Sequence, residues 1–335
     1  MNFKKAIAAA VCAATVMSLA GCGKETPASV PANNNVSTAT TTNDNKNNGD
    51  TVQPNSSQQE TGNGNNSSNT NATPVEDFEY SEGDSGIELT KYNGTDADVI
   101  IPAEIKEKPV FQIGRETFKD HTNLESITIP DSVTWIGNSS FQGCTSLKSV
   151  TIPDKVSYIG EMAFEGCTSL ESVTLGSGVQ HILYDAFQNC TSLKSITIPD
   201  SMAEIQSDTF YGCVNLESIT FGDGVSIEWI DGQLFYNCTS LKSINIPNSV
   251  SKIAKASFYN CTSLESVTIP DSVETIFFNA FEGCSNLTNI NIPDSVTRLD
   301  DEVFKDCEKI QATYKGITYD YAHINDLYAA VKANN

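Results

Sequence analysis

The chain has 335 residues, a formal net charge of −22 and an apolar fraction of 39%, ordinary for a protein that builds a core. Its 20 Lys and Arg are scattered among 42 Asp and Glu. No basic cluster is present to track a nucleic acid backbone, so no nucleic acid partner is expected, and electrostatic adsorption to anionic lipid is disfavoured. The acidity mainly keeps the domain soluble.

Residues 1–21 read as a signal peptide: Lys4 and Lys5 form a positive start, Ala6 to Ala20 an apolar stretch, and Leu19-Ala20-Gly21-Cys22 ends it. That tetrapeptide resembles a bacterial lipobox, which implies lipidation at Cys22 and an exported chain held to the membrane through that anchor alone. The apolar stretch is too short for a spanning helix. Residues 22–77 are dense in Asn, Thr, Ser, Gln and Gly. They cannot bury enough surface to offset the entropy of ordering and read as a disordered tether. A coil of that length spans roughly 40 Å on average.

Residues 78–121 read as an N-terminal cap and an atypical first repeat, with an insertion around Lys106 to Pro109 and with Phe78, Tyr80, Ile87 and Leu89 closing the open end. Residues 122–307 are repeats. Cys144, Cys167, Cys190, Cys213, Cys238, Cys261, Cys284 and Cys307 are spaced by 23, with one gap of 25, and His121 stands one period earlier. Three residues before each anchor is a phenylalanine, Phe118 to Phe304, and five before that an isoleucine, Ile113 to Ile276, ending in Leu299. So strict a period predicts a solenoid, because one repeat cannot bury its apolar side alone and stacking makes continuous columns. Within a unit, Leu147, Val150 and Ile152 mark a short strand that Pro153 ends. Successive copies run the same way, so the sheet is parallel. The segment EMAF, 161–164, reads as one helical or 3-10 turn closed by Gly or Asn. The extra two residues, within SIEWI at 226–230, are expected to bulge out. Residues 308–335 read as a C-terminal cap: a hairpin turning at YKG, then a helix with Ile324, Leu327, Tyr328 and Val331 on one face.

The units CTSLKSVTIPDKVSYIGEMAFEG and CTSLESVTIPDSVETIFFNAFEG resemble the BspA-like class of leucine-rich repeat over about seven-tenths of the chain. The resemblance implies a curved α/β-type leucine-rich repeat solenoid of about nine repeats, with its parallel sheet on the concave side and short helical or 3-10 turns on the convex side. It also implies a bacterial surface protein with an adhesive or host-interaction role and no catalytic residues to carry over.

Several columns are candidates for function, each with a plainer structural reading. The cysteines lack the paired spacing and histidine partners of a metal site and read as free, buried, small hydrophobes, although a disulfide ladder is the alternative for an exported chain. Glu125, Lys148, Glu171, Lys194, Glu217, Lys242 and Glu265 alternate in sign from repeat to repeat, placing an ammonium on either side of each carboxylate and supporting the strand register. Ser149, Thr151, Ser172, Thr174, Ser195, Thr197, Ser218 and Thr220 point outward from the strands: a hydrogen-bonding floor for an extended ligand, or small residues that simply pack well. Trp135 and Tyr158, then His181, and later Trp229 share one register; Tyr211, Tyr236 and Tyr259 share another. They make an amphipathic interaction strip or aromatic cover over a flank. The turn aspartates Asp131, Asp154, Asp200, Asp223, Asp271 and Asp294 read as turn caps before they read as calcium ligands. No nucleophile–base pair is apparent, and neither cofactor nor metal is expected. The expected partner is an extracellular protein; the alternative is a glycan, in a carbohydrate-binding or cell-wall-associated module.

Overall fold

A computed structural model describes residues 72–334. The signal peptide, Cys22 and nearly all of the tether lie outside the described residues. Thr73 lies inside them and is buried; its N–H donates to the Ile100 carbonyl and its hydroxyl accepts from the Ile100 N–H, both at 2.9 Å. The folded part therefore takes in residues that the sequence reading gave to the tether, because a polar stretch next to a sheet edge finds backbone partners there.

Each coil of the solenoid contributes two strands. The longer ones, such as Ser149–Thr151, Ser172–Thr174 and Ser195–Ile198, stack in parallel, with Ser172 opposite Ser149, Val173 opposite Val150 and Thr174 opposite Thr151. Alternation sends the valine into the core and the Ser and Thr out to solvent. The shorter ones are residue pairs: Trp135–Ile136, Tyr158–Ile159, His181–Ile182 and Glu204–Ile205 form a second parallel ladder whose isoleucines are all buried.

The convex turn differs from the expectation. EMAF is not helical; among the described residues the helices are Val75–Asp77, Tyr321–His323 and Ile324–Ala333. Met162 and Gly166 stand at φ 55° and 70°, and every coil repeats this pair of left-handed positions. Left-handed residues at this spacing turn alternate N–H groups along the stacking axis instead of back into their own turn. Met162 donates to Tyr184, Phe164 to Ala186 and Gly166 to Gln188, at 2.8–2.9 Å. The convex side is thus a third hydrogen-bonded seam between coils. A helix would have satisfied those donors within one coil and left the seam unpaired.

Inside these seams the side chains stack in columns. Phe118 to Phe304 form an unbroken row with ring centroids 5.0–5.9 Å apart and nearly parallel planes. The eight repeat cysteines are free and buried. Each thiol donates to the carbonyl of the phenylalanine one coil back, at 3.0–3.2 Å. A thiol is small enough for the column and still satisfies a buried acceptor, though it is a weak donor. Burial pushes the Cys213 thiol up to about 12, so these groups stay protonated.

Both ends are closed. Phe78–Gly83 and Gly86–Tyr92 form an antiparallel hairpin, and the second strand pairs in parallel with Lys108–Ile113. The expected insertion is a tight turn with Lys106 and Glu107 at positive φ. At the other end Gln311–Tyr314 and Ile317–Asp320 pair across a Lys315-Gly316 turn, and the helix Ile324–Ala333 buries Ile324, Leu327, Tyr328 and Val331. The Tyr328 hydroxyl accepts from the Phe304 N–H at 3.0 Å, filling the place the next coil's carbonyl takes elsewhere.

The two-residue insertion does not bulge outward. Ile227 is 1% exposed and joins the core. The cost falls on register. Ser226 N–H bonds back to Met202, whereas Glu228 carbonyl is the group that receives Ser251 from the next coil. The chain enters this coil in one register and leaves it two residues later. Both ladders break here, the short one between Ile205 and Trp229 and the long one between Phe221 and Ser243.

Candidate binding surfaces

The eight floor residues Ser149, Thr151, Ser172, Thr174, Ser195, Thr197, Ser218 and Thr220 are all exposed on the long-strand ladder. In-register pairing lines up the serines and the threonines in two rows. A shallow depression of about 330 Å³ lies between Ser172, Thr174, Ser195, Thr197 and Pro199. Alongside this floor the alternating charges settle into separate pairs. Lys148 bonds Glu125, Lys194 bonds Glu171 at 2.8 Å and Lys242 bonds Glu217 at 2.5 Å. Each lysine thus leans to the preceding coil instead of sharing itself between two carboxylates, since one short hydrogen bond fixes the ammonium on one side. The bond and charge of Lys194 hold the Glu171 carboxyl below its usual range.

The aromatic residues form two kinds of column. On the short-strand ladder Trp135 stacks on Tyr158 at 4.5 Å, and Tyr158 on His181 at 4.2 Å, with planes within 18°. On the convex seam Tyr211 stacks on Tyr236 at 4.7 Å and Tyr236 on Tyr259 at 4.6 Å. All three tyrosines are half-buried. Trp229 lies in the register of Trp135 and Tyr158 but across the break, in the second short ladder. There Lys252 sits over its ring at 4.3 Å, Phe277 stacks at 6.2 Å, and Arg298 covers Phe277 at 4.7 Å. The floor, the tyrosine strip and the short-strand aromatics are therefore distinct surfaces, the last split by the break into the Trp135 column and the Trp229 cluster. Lys252, Phe277 and Arg298 were missed from sequence, although Lys252 and Arg298 hold the register of Trp229 one and three coils further on.

At the break an open cleft of about 500 Å³ is lined by His181, Glu204, Ile227, Glu228, Trp229 and Asp231, among others. His181 Nδ1 lies 3.2 Å from Glu204 Oε2. The other two histidines sit elsewhere: His121 packs against Tyr92 and Phe118 in the N-terminal cap, and His323 lies 2.6 Å from Asp320 beside the last helix.

Two of the turn aspartates, Asp154 and Asp200, bond to the next coil. Asp154 Oδ1 accepts from the Ser177 N–H at 2.7 Å and from its hydroxyl at 3.0 Å, which holds this carboxyl below its ordinary range. Asp200 Oδ1 accepts from Gly224 N–H at 3.3 Å. Among the described residues no three His, Cys, Asp or Glu side chains are grouped to hold a metal ion, and no helix is long and apolar enough to cross a membrane. These surfaces are equipped to hydrogen-bond, to stack and to pair charges.

No curated protein matches. Among solved structures, the chain is similar to the T. pallidum leucine rich repeat protein TpLRR, at 28% identity over 65% of this chain and 80% of that one, TM-score 0.38. It is also similar to a leucine rich cell surface protein from Faecalibacterium prausnitzii A2-165, at 23% identity over 76% and 96%, TM-score 0.36, and to the pneumococcal vaccine antigen PcpA, at 20% identity over 70% and 80%, TM-score 0.42. The family model described as BspA type leucine rich repeat region matches in 6 copies across residues 111–228 and 209–315. The chain belongs to the BspA type leucine-rich repeat family.

Proposed function

We propose that this protein is a non-catalytic binding module displayed on the bacterial surface, where it engages an extracellular protein. The observation that carries this reading is the stacking of half-exposed aromatic rings into rigid columns, Trp135–Tyr158–His181 and Tyr211–Tyr236–Tyr259. Rings already ordered against one another lose little freedom when a partner covers them, and tyrosine and tryptophan supply large amphipathic contact area. The open Ser and Thr floor supports the same reading, since a broad exposed face suits a macromolecular surface better than a small substrate. The Leu19-Ala20-Gly21-Cys22 tetrapeptide and the polar residues after it support lipid anchoring at Cys22 and a tether that carries the solenoid away from the membrane. Cys22→Ala is expected to release the protein from the membrane fraction.

A second reading, a carbohydrate-binding or cell-wall-associated module, is favoured by one feature. The depression between Ser172, Thr174, Ser195 and Thr197 offers paired hydroxyls in a shallow trough. The purified chain, exposed to arrayed matrix proteins and polysaccharides, separates the two. Saturable binding to a protein supports the adhesive reading; binding confined to glycans replaces it with the second.

A further inference from the structure

The insertion at the broken coil leaves a cleft between the end of the Trp135 column, at His181, and Trp229. Its carboxylates differ from those of the strand-start row. Along the strand starts the carboxylates of Glu125, Glu171 and Glu217 are each matched by a lysine of the next coil. Glu204, Glu228 and Asp231 line the cleft at separate points, and none has a Lys or Arg partner among the described residues. Glu204 meets His181 at 3.2 Å and the Gln206 side-chain amide, at 2.9 Å, and Asp231 accepts from the Gly232 N–H at 2.7 Å. Trp229, 37% exposed, forms a wall. Lys252 and Phe277 cover the ring from the following coils, and neither lines the cleft, so the ring's other side faces it. The register jump keeps the cleft open: the strand pair that would bring the Trp229 coil onto Glu204 is interrupted by Ile227 and Glu228.

An aromatic face beside uncompensated carboxylates is the arrangement that holds a planar cation. A guanidinium stacks on an indole and gives its N–H groups to a carboxylate in pairs. Lys252 shows that this ring already takes a cation on one side. We propose that the cleft receives an arginine side chain of the partner protein, with Trp229 as the stacking wall and Glu204 and Glu228 as acceptors. This deepens the proposed protein-binding role and rests on it.

The test uses the full chain labelled with 5-fluorotryptophan, which carries two reporters, at Trp135 and Trp229, told apart by Trp135→Phe. The probe is N-acetyl-arginine methylamide. The expected result is a saturable 19F shift at Trp229 with Trp135 unmoved, weakened about tenfold in E204Q/E228Q and by added salt. Trp229→Ala in turn weakens capture of the protein partner. Equal shifts at both tryptophans, no shift, an unchanged response in E204Q/E228Q, or a shift with methyl β-glucoside in place of the arginine probe would each overturn the assignment. Partner binding that survives Trp229→Ala also overturns it while leaving the adhesive reading intact. An arginine response without any protein partner does the reverse.

Discussion

Phe187→Ala tests the physical basis of the solenoid. Phe187 is 0% exposed and stacks between Phe164 at 5.3 Å and Phe210 at 5.9 Å. Its backbone bonds, from its N–H to Thr209 and from Cys213 to its carbonyl, survive the substitution, so the loss is that of the side chain alone. Truncating a buried phenylalanine costs about 3–5 kcal/mol, the spread reflecting how far the site can collapse. Collapse is hindered here, because three hydrogen-bonded seams hold neighbouring coils at a strand spacing of about 4.8 Å. The value is therefore expected at the upper end. Phe304→Ala, at the column's end with one stacked neighbour at 5.7 Å, is expected to cost less. Urea denaturation followed by circular dichroism measures both. A loss below about 1 kcal/mol for Phe187→Ala, or a larger loss at Phe304, would refute the idea of a continuous, rigid column.

Burial, with the charges of Asp185 and Asp231 added, raises the Asp208 carboxyl to about 6, and Asp208 stands at φ 62°. A raised carboxyl disfavours the folded state once it ionises, so its penalty is present above pH about 6 and disappears as pH falls below the ordinary carboxylate value. Asp208→Asn keeps the acceptor for Gln233 and tolerates the left-handed backbone; it should stabilise by about 1 kcal/mol near neutrality after solvent screening, and hardly at all at pH 4. An equal gain at both pH values would contradict this. Lys194→Glu places three carboxylates in a row with Glu171 and Glu217 and should lower the melting temperature, with recovery in high salt; an unchanged melting temperature in dilute buffer would show that the pairs contribute nothing. Changing Tyr211, Tyr236 and Tyr259 together to Ser should weaken partner binding about tenfold or more while the thermal transition persists. Unaltered affinity would clear the strip of a role.

The period of 23 made most of the fold readable, because a solenoid repeats one local solution and each column appears as an identity in the sequence. The Phe and Cys columns and the outward Ser and Thr rows were legible for that reason; the C-terminal helix face was legible from its own apolar spacing. Two features were not. A run such as Gly160 to Gly166 carries no apolar period that separates a helical turn from a seam of left-handed residues; the distinction lies in hydrogen bonds to the next coil, between residues about 22 apart. The effect of the extra residues was likewise hidden. Ile227 reads as an outward bulge until its burial shows that the core took it in and that the ladders broke instead. The cleft with Trp229 and Glu204 follows from that break, and its residues lie in different repeats with no shared motif. Cys22 and nearly all of the tether lie outside the described residues and still rest on sequence.

The central claim is that the exposed aromatic and hydroxyl surfaces of this solenoid bind an extracellular protein. The most direct measurement takes the strongest target from the array and compares binding of the purified chain to it after protease digestion and after enzymatic removal of its glycans. The account predicts that saturable binding is lost after protease and retained after deglycosylation. Binding that survives digestion and disappears with the glycans would contradict it.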